Sequence, residues 1–190
     1  TFASWSGDPT CPHPILTVDR ACTANFAPLL YRLYLFVYGS GGGTVTSAPA
    51  GIDCGIDCEG DFRAGTVITL TATANANSTF WGWTGPCTGA NPTCEVTLSA
   101  VRGLAAIFNL KTYTVTATAG TGGTISPPSR NVAHGDTATF TITPGTGYSI
   151  GTVSGCGGNL VGNTYTTGPI TAPCRVSARF VPQVTVVATD

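Results

Sequence analysis

The sequence contains few charged residues. Asp, Glu, Lys and Arg make up 9% of its 190 residues, the formal net charge is −1, and Lys111 is the single lysine. In globular proteins about a quarter of the residues are charged. Without a basic patch, we expect neither nucleic acid nor an anionic membrane surface as a partner. The shortage of charge leaves little repulsion between copies, so this surface favours self-association.

Methionine and long apolar runs are also missing. The sequence has no Met, even at position 1, so we expect a mature product whose leader has been removed, or a cut fragment. No apolar run is long enough to cross a bilayer, and the apolar segment Leu33–Tyr38 has only the length of a strand. We therefore expect no membrane insertion.

Strand-forming and turn-forming residues fill the chain instead. Thr and Val favour strands, whereas the 25 glycines and 13 prolines favour turns. Apolar residues alternate with threonines at 67–74, 113–118 and 139–143, and no helical periodicity extends beyond a turn. These patterns predict an all-β chain of tandem small antiparallel domains, with about six short strands each.

The sequence also repeats itself. A stretch with two cysteines and a strand that closes on Phe occurs three times, and each time a short linker and a new strand follow. The closing residues are Phe26, Phe108 and Phe180, and the new strands are Leu33–Tyr38, Tyr113–Ala119 and Val184–Asp190. We predict the back half of a repeat at 1–30, complete repeats at 31–110 and 111–181, and the first strand of a further repeat at 182–190. A period of about 70–80 residues is typical of small domains in tandem.

The sequence is therefore out of phase with its own repeat, and two interpretations stay open. One is a fragment of a longer array, or a processed product. The other is complementation between molecules, in which the spare strand of one copy adds to the half-repeat of the next. Val184 and Val186 would then lie in the interface, and such head-to-tail contacts form filaments when they do not close. The spare strand is too short to replace every strand that the half-repeat lacks.

The eight cysteines fall into local pairs. The pairs are Cys11/Cys22, Cys54/Cys58, Cys87/Cys94 and Cys156/Cys174. An even number in this pattern predicts disulfides and an extracellular or cell-surface location. A bridge between residues 156 and 174 would add about 3 kcal/mol of stability, and a bridge between 54 and 58 less. Zinc is the weaker alternative, because the repeat at 31–110 has four cysteines and the next repeat only two.

One strand carries an unusual outer face. Leu33, Leu35 and Val37 form an ordinary inner face, but the alternate positions are Tyr34, Phe36 and Tyr38, where the second repeat has threonines. Three aromatic side chains on a strand face require a cover. We interpret them either as packing against the half-repeat of the same chain or as an interface between protomers.

A further aromatic residue stands out at Trp81. Phe80 and Trp83 recur in the half-repeat as Phe2 and Trp5, which predicts a place in the core. Trp81 does not recur. Packing within the chain, a contact between copies and stacking on a glycan all remain open for it.

The acidic residues are concentrated in one segment. Asp53, Asp57, Glu59 and Asp61 surround the pair Cys54/Cys58. Asp57, Glu59 and Asp61 alternate, and their oxygens form a candidate calcium site. The alternative, which we favour, is a solvated loop. We expect no other metal and no cofactor.

Two segments together resemble a known family. The segment GGTVTSAPAGIDCGIDC through AAIF (42–108) resembles the divergent InlB B-repeat, also called the bacterial repeat domain. The segment GGTISPPSRNVAHGDTATFTITPGTGYSI through RVSARF (122–180) is similar to another variant of that family, and residues 1–26 look like its back half. The resemblance implies a secreted or surface protein of bacteria, in which such repeats serve as stalks and adhesion modules. It implies no catalytic residues.

The residues themselves also give no indication of catalysis. His13 and His134 lie in apparent loops, with no Ser or Cys at a recognisable spacing. We expect a non-enzymatic extracellular structural protein, which serves as a fibre or filament subunit or an adhesin stalk, with itself as partner. The alternative is a carbohydrate-binding or adhesion module that uses exposed aromatics to contact glycans or a host surface.

Overall fold

The protein consists of β-strands. The structure, a computed structural model, describes residues 2–7 and 21–184, and all the regular elements in those ranges are strands. The chain forms two compact units, which divide between Asn109 and Leu110. The all-β prediction is confirmed.

An N-terminal hairpin begins the first unit. Strand β1 (Phe2–Gly7) pairs antiparallel with β2 (Cys22–Phe26), from Phe2 opposite Phe26 to Gly7 opposite Cys22. The pairing shifts register between Phe2 and Ser4, which marks a β-bulge.

The first complete repeat has eight strands in residues 30–110, all of which the structure describes. They are β3 (Leu30–Tyr38), β4 (Gly43–Ala48), β5 (Asp53–Cys54), β6 (Glu59–Arg63), β7 (Val67–Ala74), β8 (Ser78–Thr84), β9 (Thr93–Thr97) and β10 (Arg102–Leu110). They form two four-stranded sheets, with strand orders β6-β3-β10-β8 and β5-β4-β7-β9.

The second repeat, in residues 110–182, has the same plan. Its strands are β11 (Thr112–Ala119), β12 (Gly123–Ser126), β13 (Ser129–Ala133), β14 (Thr139–Pro144), β15 (Tyr148–Ser154), β16 (Asn159–Val161), β17 (Thr164–Thr166) and β18 (Cys174–Pro182). The sheet orders are β13-β11-β18-β15 and β12-β14-β17-β16. The count exceeds the expected six because strands of two or three residues, such as β5 and β16, are too short to show alternation.

The first and last strands of each repeat lie side by side in the centre of one sheet. β3 pairs with β10, and β11 pairs with β18, and both pairs are parallel. The other strand pairs whose register the structure describes within the two repeats are antiparallel. Apart from the steps β4 to β5 and β16 to β17, successive strands switch between the two sheets, and the last strand returns beside the first. The opening strand therefore completes the sheet that the closing strand belongs to.

The two sheets of each repeat enclose one apolar core. In the first repeat, Leu35 and Phe108 from one sheet pack with Ile68 and Leu70 from the other, and each is at most 3% exposed. In the second repeat the largest buried side chain is Tyr165, whose hydroxyl donates a hydrogen bond of 2.7 Å to the Gly155 carbonyl. Two-layer packing of this kind is the usual way for small sheets to bury their apolar faces.

The closing phenylalanine of each repeat packs against a glycine, and the two glycines occupy equivalent positions in the two repeats. A Cβ at Gly43 would lie 2.4 Å from the ring of Phe108, and a Cβ at Gly123 would lie 2.4 Å from the ring of Phe180. Both contacts are shorter than any side chain tolerates, so each ring requires glycine at the start of the second strand of its repeat.

The strand pairing corrects the alignment of the two repeats. Val37 lies opposite Ala106, and Ala119 lies opposite Ala178, so Val37 corresponds to Ala119 and Leu33 to Val115. The sequence comparison, which set Leu33 against Tyr113, was therefore shifted by two residues. The cause is the turn that follows, which is longer at 38–42 than at 120–122.

Disulfides connect neighbouring segments in both repeats. The described residues contain Cys54–Cys58, Cys87–Cys94 and Cys156–Cys174. The four cysteines of the first repeat thus form two disulfides, Cys54–Cys58 and Cys87–Cys94, and do not form a zinc site. The expected partner of Cys22, Cys11, lies outside the described residues.

Candidate interaction surfaces

The aromatic side chains of β3 lie on the outer face of its sheet. Tyr34, Phe36 and Tyr38 are 38%, 49% and 58% exposed, whereas Leu33 and Leu35 of the inner face are buried. Val37, which was also predicted on the inner face, is 38% exposed. Packing against the half-repeat of the same chain stays a prediction, because residues 8–20 of that half-repeat lie outside the described ranges. With the corrected alignment, Tyr34 and Phe36 correspond to Thr116 and Thr118 of the second repeat.

Small residues lie beside these rings on β10. Gly103 is opposite Tyr34 and Ala105 is opposite Phe36 in the parallel ladder. Ala105 is 5% exposed although it is on the outer face, and a Cβ at Gly103 would lie 3.6 Å from the Phe36 ring. The Phe36 ring therefore lies against β10, and the planes of Phe36 and Tyr38 are nearly parallel, at 8°.

A charged group adjoins the aromatic face. The Arg32 guanidinium donates two hydrogen bonds to the Asp61 carboxylate, of 2.8 and 2.7 Å, and one of 3.0 Å to Glu59. The hydrogen bond to Arg32 lowers the pKa of the Asp61 carboxyl, and the same bond with the two carboxylate charges raises the pKa of Arg32. The sequence alternation already placed Arg32 on the outer face of β3. It did not show that β3 pairs with β6, which brings Arg32 to Glu59 and Asp61.

The structure gives no support to the calcium site. Glu59 and Asp61 both bind Arg32, and Asp57 accepts a backbone hydrogen bond from Glu59. Among the residues the structure describes, no three His, Cys, Asp or Glu side chains form a group able to hold a metal ion. The acidic segment instead forms an ion-pair cluster at the protein surface.

Trp81 is a further exposed aromatic residue in the same sheet. Phe80 packs against the core at 5.2 Å from Trp83 and 5.4 Å from Phe108, as measured between ring centroids. Trp81, which lies between Phe80 and Trp83 in the sequence, is 62% exposed. Its strand, β8, is the neighbour of β10 on the side away from β3.

The N-terminal hairpin has the geometry of the back half of a repeat. Phe2 pairs with Phe26 and Trp5 with Ala24, just as Ile150 pairs with Phe180 and Val153 with Ala178 in the β15–β18 ladder. The register shift falls at the same place in both ladders. The hairpin is therefore the counterpart of the last strand pair of a complete repeat.

The hairpin exposes the residues that a complete repeat buries. Ring centroids of Phe2 lie 5.6 Å from Trp5 and 6.1 Å from Phe26, which resembles the cluster of Phe80, Trp83 and Phe108. Phe2, Trp5 and Phe26 are 53%, 42% and 72% exposed, whereas Trp83 and Phe108 are 3% and 0% exposed. We call these three residues the hairpin cluster.

The other predicted residues belong to the second unit or lie outside the described ranges. Val184 is 86% exposed, and Val186 lies outside the described residues. His134 packs beside Tyr113, with ring centroids 6.0 Å apart, and His13 is not among the described residues. No helix in the described part of the chain has the length and apolarity needed to span a membrane.

The fold and these surfaces define a protein of tandem, disulfide-bonded β-sandwich repeats. The chain belongs to the divergent InlB B-repeat domain family, whose model matches residues 35–112 and again residues 113–184. No curated protein matches the chain. Family membership and the disulfides together indicate an extracellular or cell-surface repeat protein of bacterial type.

Proposed function

We propose that this protein is a non-enzymatic structural subunit of an extracellular fibre, filament or adhesin stalk, in which copies join head to tail by strand complementation. The observation that carries the proposal is the exposed hairpin cluster. Its strands have the register of a repeat's back half, but its core-forming rings are open to solvent.

The complete repeats indicate what would cover this cluster. In both of them the closing strand has the opening strand as its parallel neighbour on one side. Among the described strands, β2 has β1 as its neighbour on one side and no strand on the other. An unpaired edge above an exposed apolar face favours strand addition.

The segment Val184–Asp190 has the sequence of an opening strand. Its pattern VTVVATD matches YTVTATA at 113–119, with apolar side chains at alternate positions. In the register of β11 and β18, Ala188 of one copy would lie opposite Cys22 of the next. Val184 and Val186 would then face the interior of the completed repeat, and Val184 has an exposed side chain available for this contact.

Sedimentation velocity tests this proposal. We expect the full chain to form larger species as its concentration rises. We expect Phe26→Asp to remain monomeric, because head-to-tail assembly would bury an unpaired carboxylate in the contact between two copies. A synthetic peptide of residues 184–190 should compete with assembly, whereas the same peptide with Val184→Asp and Val186→Asp should not. Val161→Asp, a change at another exposed apolar residue, is the control. Equal behaviour of Phe26→Asp and the unmodified chain would refute the proposal.

A further inference from the structure

We propose that the outer face of the first repeat binds an extended, uncharged oligosaccharide or polysaccharide. The face consists of Tyr34, Phe36 and Tyr38 on β3 with Gly103 and Ala105 beside them on β10, and the exposed Trp81 lies on β8, the next strand of the same sheet. This site is separate from the hairpin cluster and does not depend on assembly.

The aromatic rings provide an exposed apolar surface. Phe36 and Tyr38 have nearly parallel planes, with centroids 6.2 Å apart, and the Phe36 ring lies beside Gly103, where a Cβ would be 3.6 Å from it. One side of a sugar ring presents C–H bonds, which pack against the negative face of an aromatic ring, while its hydroxyls remain at the edge. A side chain at position 103 would contact the Phe36 ring directly.

The arrangement favours an extended chain over a single sugar. Side chains on one face of a strand recur at about 6.6 Å, a distance comparable to the length of one sugar unit. Tyr34, Phe36 and Tyr38 therefore form a row along which successive sugars of a linear chain can lie.

Polar groups for the hydroxyls adjoin this row. Arg32 uses three of its N–H groups on Asp61 and Glu59, so two of its five donors remain. The second oxygen of Glu59 is likewise an acceptor for hydroxyl donors. These are the donors and acceptors that fix the orientation of a ligand on an apolar surface.

The same charged group argues against a dry protein interface and against an acidic glycan. Arg32, Glu59 and Asp61 are all solvent-exposed, and burying three ionised groups under a second copy carries a large desolvation cost. Their charges add up to one negative charge, which disfavours uronic-acid chains. A neutral glycan leaves the group hydrated and hydrogen-bonded.

The second repeat provides the natural comparison. Thr116 and Thr118 occupy the positions of Tyr34 and Phe36, and Thr118 lies within hydrogen-bond distance, 3.3 Å, of Ser177 beside it. Its outer face thus lacks the rings while sharing the fold. Tyr34→Thr and Phe36→Thr copy this face into the first repeat and keep good strand formers.

Titration calorimetry and NMR of the full chain test the site. The probes are cellohexaose and chitohexaose as neutral extended chains, dextran as a neutral α-linked chain, and a galacturonic acid hexamer as the acidic one. We expect binding of a neutral β-linked probe with a shift of the Trp81 indole signal, and an affinity loss of about tenfold or more in the double variant Tyr34→Thr/Phe36→Thr. Val161→Thr should bind as the unmodified chain does.

Three outcomes would overturn the proposal. They are no binding of either neutral β-linked probe, undiminished binding by a double variant whose circular dichroism shows a folded chain, and loss of self-association instead of glycan binding in that variant. Repeating the titration with Phe26→Asp separates this site from the assembly joint, because that variant should not assemble but should bind the glycan unchanged.

Discussion

At the scale of single residues, the same aromatic cluster occurs in a closed and an open form. Phe80, Trp83 and Phe108 pack in the core of the first repeat, with Trp83 also donating a 2.9 Å hydrogen bond from its indole to the Asn91 carbonyl. The hairpin cluster repeats the ring arrangement without the sheet that covers it. The difference in exposure makes the two clusters a matched pair for mutation.

We expect Phe108→Ala and Phe26→Ala to differ in their effects. Phe108 is fully buried, so its truncation should lower the free energy of unfolding of the first repeat by about 3–5 kcal/mol. Phe26 is exposed, so its truncation should change that free energy by less than about 0.5 kcal/mol while weakening self-association. Urea titration followed by the NMR signal of the Trp83 indole measures both. Similar losses from the two variants would mean that the hairpin belongs to the core of the first repeat.

At the scale of elements, local sequence patterns predicted some features and missed others. Alternation along 67–74 and 139–143 identified β7 and β14, and the spacing of cysteines identified the pairs at 54/58, 87/94 and 156/174. The parallel pairing of opening and closing strands joins residues far apart in the chain, so no local period reveals it. The Arg32 ion pairs and the tilt of Phe36 over Gly103 depend on that pairing and were missed for the same reason.

The disulfides should stabilise their repeats according to the loops they close. Cys156–Cys174 spans 18 positions and Cys54–Cys58 spans 4. By loop-closure entropy, replacing both cysteines with alanine should cost about 3 kcal/mol in the first case and about 2 kcal/mol in the second. Urea unfolding followed by amide signals of β18 and β3 measures the two repeats separately. A larger loss from the Cys54–Cys58 replacement would show that a source other than loop closure dominates.

At the scale of the whole molecule, three features combine. The complete repeats are stable β-sandwiches with few charges, the hairpin presents an uncovered back half, and Val184–Asp190 has the pattern of an opening strand. Together they support a protein whose function is mechanical connection. The aromatic face of the first repeat lies on a different surface of the fold and would allow such an assembly to hold a glycan.

Electron microscopy of the purified full chain tests head-to-tail assembly directly. At concentrations where sedimentation shows association, we predict unbranched filaments, and we predict that Phe26→Asp abolishes them while Val161→Asp does not. Short dispersed particles of single-chain size under all these conditions would contradict head-to-tail assembly.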